Sequence, residues 1–178
     1  MTSPRLTAAL AVVLPALTAL LSGCSVTIPV DVVREVTLEA AAAGTFTRTE
    51  AVDLSTSAGS LWNKRSRVDA VSVDEVTATV VSVASGSGAT IDLSLAFRPD
   101  GAPSNGSQDV AVGTLSGLSL TAGASASLAG SAALDAFLLS VVQGSGKFTA
   151  VAGGSVSAPV STVLSIHVKG SATTKIGG

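Results

Sequence analysis

An all-β fold, a two-sheet antiparallel β-sandwich of about seven or eight strands with one short helix, is what this sequence predicts. Three observations carry the expectation. Apolar and polar residues alternate strictly in several short segments, Gly-rich turns separate those segments, and a single stretch, residues 131–143, changes to helical spacing.

The last strand is the clearest. Val160, Thr162, Leu164, Ile166 and Val168 take alternate positions, with Ser161, Ser165, His167 and Lys169 between them. A period of two with β-branched residues buries one face of a strand. Ile91, Leu93, Leu95 and Phe97 repeat the pattern against Asp92, Ser94 and Arg98. Residues 71–83 are longer, and both faces become apolar around Val80 and Val81, as in a central strand covered on both sides. Weaker strands are expected over 32–40, 46–54, 109–115, 118–122 and 146–152. Ser85-Gly86-Ser87-Gly88 is expected as a hairpin loop, and Pro99-Asp100-Gly101 with Asn105-Gly106 as a longer loop. Gly153-Gly154 is expected to precede the final strand. Within 131–143, Leu134, Phe137, Leu138, Val141 and Val142 form a helical stripe, with Ser131 placed to cap its start and Gly144 its end. Residues 57–67 suggest a further helical turn anchored by Trp62.

The N-terminus has a different character. Arg5 is followed by an apolar run, residues 6–21, broken only by Thr7, Pro15 and Thr18. That is 16 residues, shorter than the roughly 20 a stable bilayer span requires. A charged start, an apolar centre and small residues before a cleavage point make a secretory signal. The run ends in Leu21-Ser22-Gly23-Cys24. This tetrapeptide resembles the lipobox of bacterial lipoproteins. The resemblance implies cleavage between Gly23 and Cys24, after the Cys24 thiol has taken up a diacylglyceryl group, followed by acylation of the new amino terminus with fatty acids such as palmitate. A thiol is the nucleophile suited to that step. Cys24 is also the only cysteine, so no intrachain disulfide forms, and lipidation accounts for an otherwise unpaired exported thiol.

The domain organisation expected is therefore a cleaved signal peptide at 1–23, a lipidated N-terminus and short tether at 24–31, and one sandwich domain at 32–178. Removing residues 1–23 from 178 leaves 155, enough for a single core without covalent staples. At about 3.3 Å per extended residue the tether reaches on the order of 20 Å. Loss of Arg5 leaves nine Lys and Arg against 12 Asp and Glu, a balance of −3. That mild acidity excludes the basic footprint of a nucleic-acid binder. Four Phe, one Trp and no Tyr leave little for an aromatic binding surface.

Candidate chemistry is sparse, and the chain is expected not to be an enzyme. His167 is the only histidine and falls on the polar side of its strand, without a nucleophile-elbow motif to serve. One histidine and one lipidated cysteine do not make a zinc site. Asp100, Asn105 and Asp109 offer hard oxygen ligands in a Gly-rich loop, but their spacing matches no EF-hand, and turns use the same residues. Lys64, Arg65 and Arg67 beside Trp62 are expected to be solvated neighbours of a core-anchoring Trp. Asp74 and Glu75 are adjacent and, in a regular strand, point to opposite faces. Gly86-Ser87-Gly88 is not a phosphate loop, since the third Gly and a following helix are missing. No metal, cofactor or nucleic-acid partner is expected. The expected partner is a membrane, through the lipid on Cys24, with an envelope protein as a further one. The resulting expectation is a non-catalytic, membrane-anchored structural or interaction module. Its alternative is a carrier of a small apolar ligand held between the sheets or under the 131–143 helix. Ser25 follows Cys24. By resemblance to lipoprotein sorting, a residue other than Asp there implies the outer membrane in a host with two membranes.

Overall fold

The computed structural model describes residues 25–175. Eight strands form two antiparallel four-stranded sheets. β1 (Ser25–Ala40), β8 (Val160–Lys175), β3 (Val68–Ser85) and β6 (Ser125–Ala129) make sheet A, in that order. β2 (Gly44–Asp53), β7 (Lys147–Val156), β4 (Thr90–Pro99) and β5 (Val110–Ser119) make sheet B. Short helices α1 (Leu54–Ser57) and α2 (Gly59–Trp62) and a 3₁₀ turn (Arg65–Arg67) join β2 to β3. The longer α3 (Ala132–Gln143) joins β6 to β7.

The alternation expected from sequence becomes the inter-sheet core. Val160, Thr162, Leu164 and Val168 of β8 are buried, as are Ile91, Leu93, Leu95 and Phe97 of β4. Thr162, a buried polar residue, donates its hydroxyl to the Ser82 carbonyl at 2.7 Å, next to a register slip in β3. An unpaired carbonyl there would cost about 1–3 kcal/mol.

The connectivity departs from the sequence reading in several places. The loop at 86–89 is not a hairpin. It carries the chain from β3 in sheet A to β4 in sheet B. Turn residues say where a chain reverses and leave open whether the flanking strands pair or cross. The expected strands at 109–115 and 118–122 are one strand, β5, with two bulges. Gly113 pairs with Leu95 but Ala111 with Ala96, so β5 carries one extra residue between them, and Leu115 pairs with Leu93 but Leu118 with Ile91, so it carries a second. Gly117 takes the left-handed φ of 65° there, and its N–H donates to Asp92 Oδ1 at 2.8 Å. The sixth strand, Ser125–Ala129, had no clear signal because its residues are small and weakly alternating. Gly153 and Gly154 lie within β7, not before β8. β3 is an interior strand, but its outer face is uncovered. Val81 points outward by alternation with the buried Val80 and is 45% exposed, and the register slip between Val80 and Ser82 turns Val83 back toward the core.

Residues 25–31 are not a tether. They form the first part of β1 and pair continuously with β8, Ser25 with Lys175 through Asp31 with Lys169. Alternation explains it: Ile28 and Val30 are buried, while Thr27, Pro29 and Asp31 face out.

Sheet A is the longer sheet. β1 and β8 have 16 residues and β3 has 18, against 10 for each strand of sheet B. The sheets finish together where β1, β3, β5 and β7 end. The surplus of sheet A therefore projects at the opposite end, and the helices cover it.

Candidate functional site

The helix-covered end holds the residues nearest to the expected anchor, so its construction decides what the site consists of. α3 presents Leu134, Phe137, Leu138, Val141 and Val142 inward, as the helical stripe requires. Ser131 caps it, accepting from the Leu134 N–H at 3.3 Å, and Gly144 ends it by donating to the Ser140 carbonyl. Two side chains fix α3 beside β3 where β6 no longer pairs. Asp135 accepts the Val73 N–H at 2.7 Å, and Gln143 donates to the Val68 carbonyl at 2.9 Å. The helix thereby satisfies part of an exposed strand edge.

Beneath it, Phe97, Phe137 and Phe148 form a triangle with ring centroids 4.9–5.9 Å apart. Three of the four phenylalanines thus meet at one place. Trp62 packs partly against the core with its ring against Gly146, and Arg65 stacks over that ring at 4.2 Å. The reading of Trp62 as an anchor with solvated basic neighbours holds, with the addition of this cation–π contact.

Between α1, α2, α3 and the overhang of sheet A lies an apolar void lined by Val30, Leu54, Leu61, Val71, Leu138 and Val142, among others. Its volume is about 20 Å³. Three further clefts follow the seam between β1 and β2, and the roomiest of them has about 30 Å³. Each is of the order of a single water site, and ligand pockets run to several hundred Å³. On the inner face beside this seam, Arg34 donates to the Ser57 hydroxyl, and its Nε is buried without a partner.

Cys24 and Gly23, the residues of the expected lipidation and cleavage, lie outside the described residues, as does the whole signal segment. The nearest described residue is Ser25, the first of β1. His167 lies on the outer face of sheet A, with its side chain 27% exposed, and shares a 2.7 Å hydrogen bond with Asp31 of β1. Its partner is thus a carboxylate from the neighbouring strand and not a serine hydroxyl. Asp109 gives both carboxylate oxygens to Arg98, at 2.7 and 2.8 Å. Those hydrogen bonds hold the Asp109 carboxyl below its ordinary value and raise Arg98. Asn105 accepts from the Ser107 N–H in a local turn. Of the three loop residues weighed as calcium ligands, Asn105 and Asp109 are engaged in these contacts, and no group of three or more His, Cys, Asp or Glu among the described residues is placed to hold a metal ion. Asp74 and Glu75 do not oppose one another across the sheet as expected. The register slips between Val73 and Glu75, so Val73 and Val76 both turn inward and both carboxylates stay outside the core.

Among the described residues, no helix is long and apolar enough to cross a membrane. No family model matches the chain, and no curated protein does. Among solved structures, a chain titled Desmodium yellow mottle tymovirus aligns over 100% of this chain and 98% of its own length, at 13% identity and a TM-score of 0.38. That likeness is too loose to bear on fold or function.

Proposed function

We propose that this chain is a lipid-anchored protein of the bacterial envelope whose sandwich serves as a non-catalytic structural or protein-interaction module. The observation that carries the proposal is the Leu21-Ser22-Gly23-Cys24 tetrapeptide directly after a 16-residue apolar run. The position of β1 supports it and sharpens it. Among the described residues β1 is paired with β8 from Ser25 onward, the residue after Cys24, so a lipid on Cys24 would leave no free linker. It would hold the Ser25 end of β1 close to the bilayer, closer than a 20 Å tether allows. Ser25 in place of Asp favours the outer membrane in a two-membrane host. A sandwich that carried a small apolar ligand would need a far larger cavity than the water-sized spaces described above.

Replacing Cys24 with Ala tests this reading. Each buried methylene contributes about 0.8 kcal/mol, and one acyl chain alone binds only marginally, so two or three chains are needed for a durable anchor. The native chain is expected to take up radiolabelled palmitate and to sediment with membranes. The Cys24→Ala chain is expected to take up none and to accumulate uncleaved. A native chain that incorporates no label and remains in the soluble fraction would refute the proposal.

A further inference from the structure

We propose that two copies of this chain pair edge to edge through β2, antiparallel and in one register centred on Thr49. β2 is an edge strand of sheet B, so one row of its backbone N–H and C=O groups is not used in the sheet. The other edge of sheet B is protected. β5 is bulged, and it packs on β6 closely enough that a methyl group on Gly113 would meet Leu128. β2 has neither defence. Its ten residues pair with β7 without a register break, it contains no Pro, and Thr45 and Thr47 to Ala51 are exposed.

What β2 does carry is a pair of inward-facing charges. Val52 is buried and Phe46 half-buried, so the even-numbered positions face inward. Arg48 and Glu50 share that face, and both border the clefts beside Ile166 and Ala150. Inward charges on an edge strand oppose indiscriminate pairing. Here they also select one partner. In an antiparallel pair of two β2 strands centred on Thr49, Arg48 of each copy lies opposite Glu50 of the other, and Phe46 lies opposite Val52. Opposite charges and aromatic–β-branched pairs both favour such cross-strand neighbours. The two adjacent registers that keep the pleat in phase are centred on Arg48 or on Glu50, and each sets like charges face to face. The pairing is isologous. It joins the two B sheets into one of eight strands. Its two-fold axis runs normal to sheet B, so the two Ser25 ends are level along that axis but lie at opposite ends of the joined sheet, and two copies anchored to one surface would lie with that sheet along it.

The test is charge exchange, read by sedimentation equilibrium of the full chain in detergent, with circular dichroism confirming that each exposed substitution leaves the fold intact. The native chain is expected to dimerise. Arg48→Glu alone and Glu50→Arg alone should each weaken self-association by about tenfold or more, because two attractive pairs become repulsive. The double exchange should restore it, and an equimolar mixture of the two single variants should form a heterodimer. A native chain that stays monomeric, or single variants that associate as the native chain does, would overturn the proposal. The mixing experiment fixes the register: failure of the two singles to associate would overturn the Thr49-centred pairing.

Discussion

At one end of the sandwich the chain passes between the sheets four times, through loops of three to five residues at 41–43, 86–89, 120–124 and 157–159. None of those loops contains a charged residue. At the other end the connections are α1, α2, α3 and the 100–109 loop, and charged residues are frequent, among them Asp53, Lys64, Arg65, Arg67, Asp109 and Asp135. The difference follows from strand length. Where the two sheets finish together, small residues suffice to turn the chain across a closed core. Where sheet A overhangs, its inner face must be covered by apolar helix surface, and its backbone groups need polar side chains such as Asp135 and Gln143.

Removing the centre of the helical cover has the largest expected effect. Phe137 is 8% exposed and sits in the aromatic triangle with Phe97 and Phe148. Phe137→Ala is expected to cost about 3–5 kcal/mol in urea unfolding, as truncation of a buried aromatic does. Backbone amides of α3 and of the overhanging part of β3 should lose hydrogen-exchange protection before those of the short-loop end. Equal loss everywhere would mean that the two ends do not differ in this way.

The short-loop end is broken differently, through the backbone. Gly86 has a φ of +80°, and a Cβ there would lie 2.5 Å from the Pro159 carbonyl oxygen, bringing two crossing loops into collision. Gly86→Ala is expected to cost about 1–3 kcal/mol, the range for a strained non-Gly conformation. The cost should be insensitive to pH, since no ionisable group lies in either loop. A variant as stable as the native chain would show that the two loops are free to separate.

These two ends also differ in how far sequence foretells them. The strands of the core were legible wherever alternation was strict, as in β8 and β4, and α3 was legible from its stripe and from Ser131. The topology was not. Ser85-Gly86-Ser87-Gly88 has the same turn chemistry whether it closes a hairpin or crosses between sheets, and the choice rests on which strands find partners far away in sequence. The overhang was hidden for a related reason. Residues 25–31 alternate correctly, but their place directly after the expected lipidation site reads as a tether, and only their pairing with the end of β8 makes them a strand. The outward position of His167 was legible from its phase in β8; its bond to Asp31 was not, because that depends on the register of β1. The self-complementary charges of β2 are visible in the sequence only once β2 is known to be an edge.

The smallest expected effect concerns acid, and it belongs to the helix-covered end. Arg98 and Asp109 bridge the base of the 100–109 loop, with side chains 11% and 15% exposed. The hydrogen bonds from Arg98 hold the folded Asp109 carboxyl below its ordinary value, and the unfolded chain returns it to about 3.9. A carboxyl lowered by folding adds stability at pH above its unfolded value and loses that contribution as pH falls through its folded one. Arg98→Met should therefore lower the melting temperature most near pH 7, and the difference from the native chain should narrow as the pH drops below about 4. Asp53 is also held low, by its bonds from Ser55, but it is present in both proteins, and its own acid dependence cancels in the difference. Melting curves of the two proteins across pH measure this directly. A gap that is constant with pH would show that Arg98 acts there through the packing of its aliphatic stem and not through its charge.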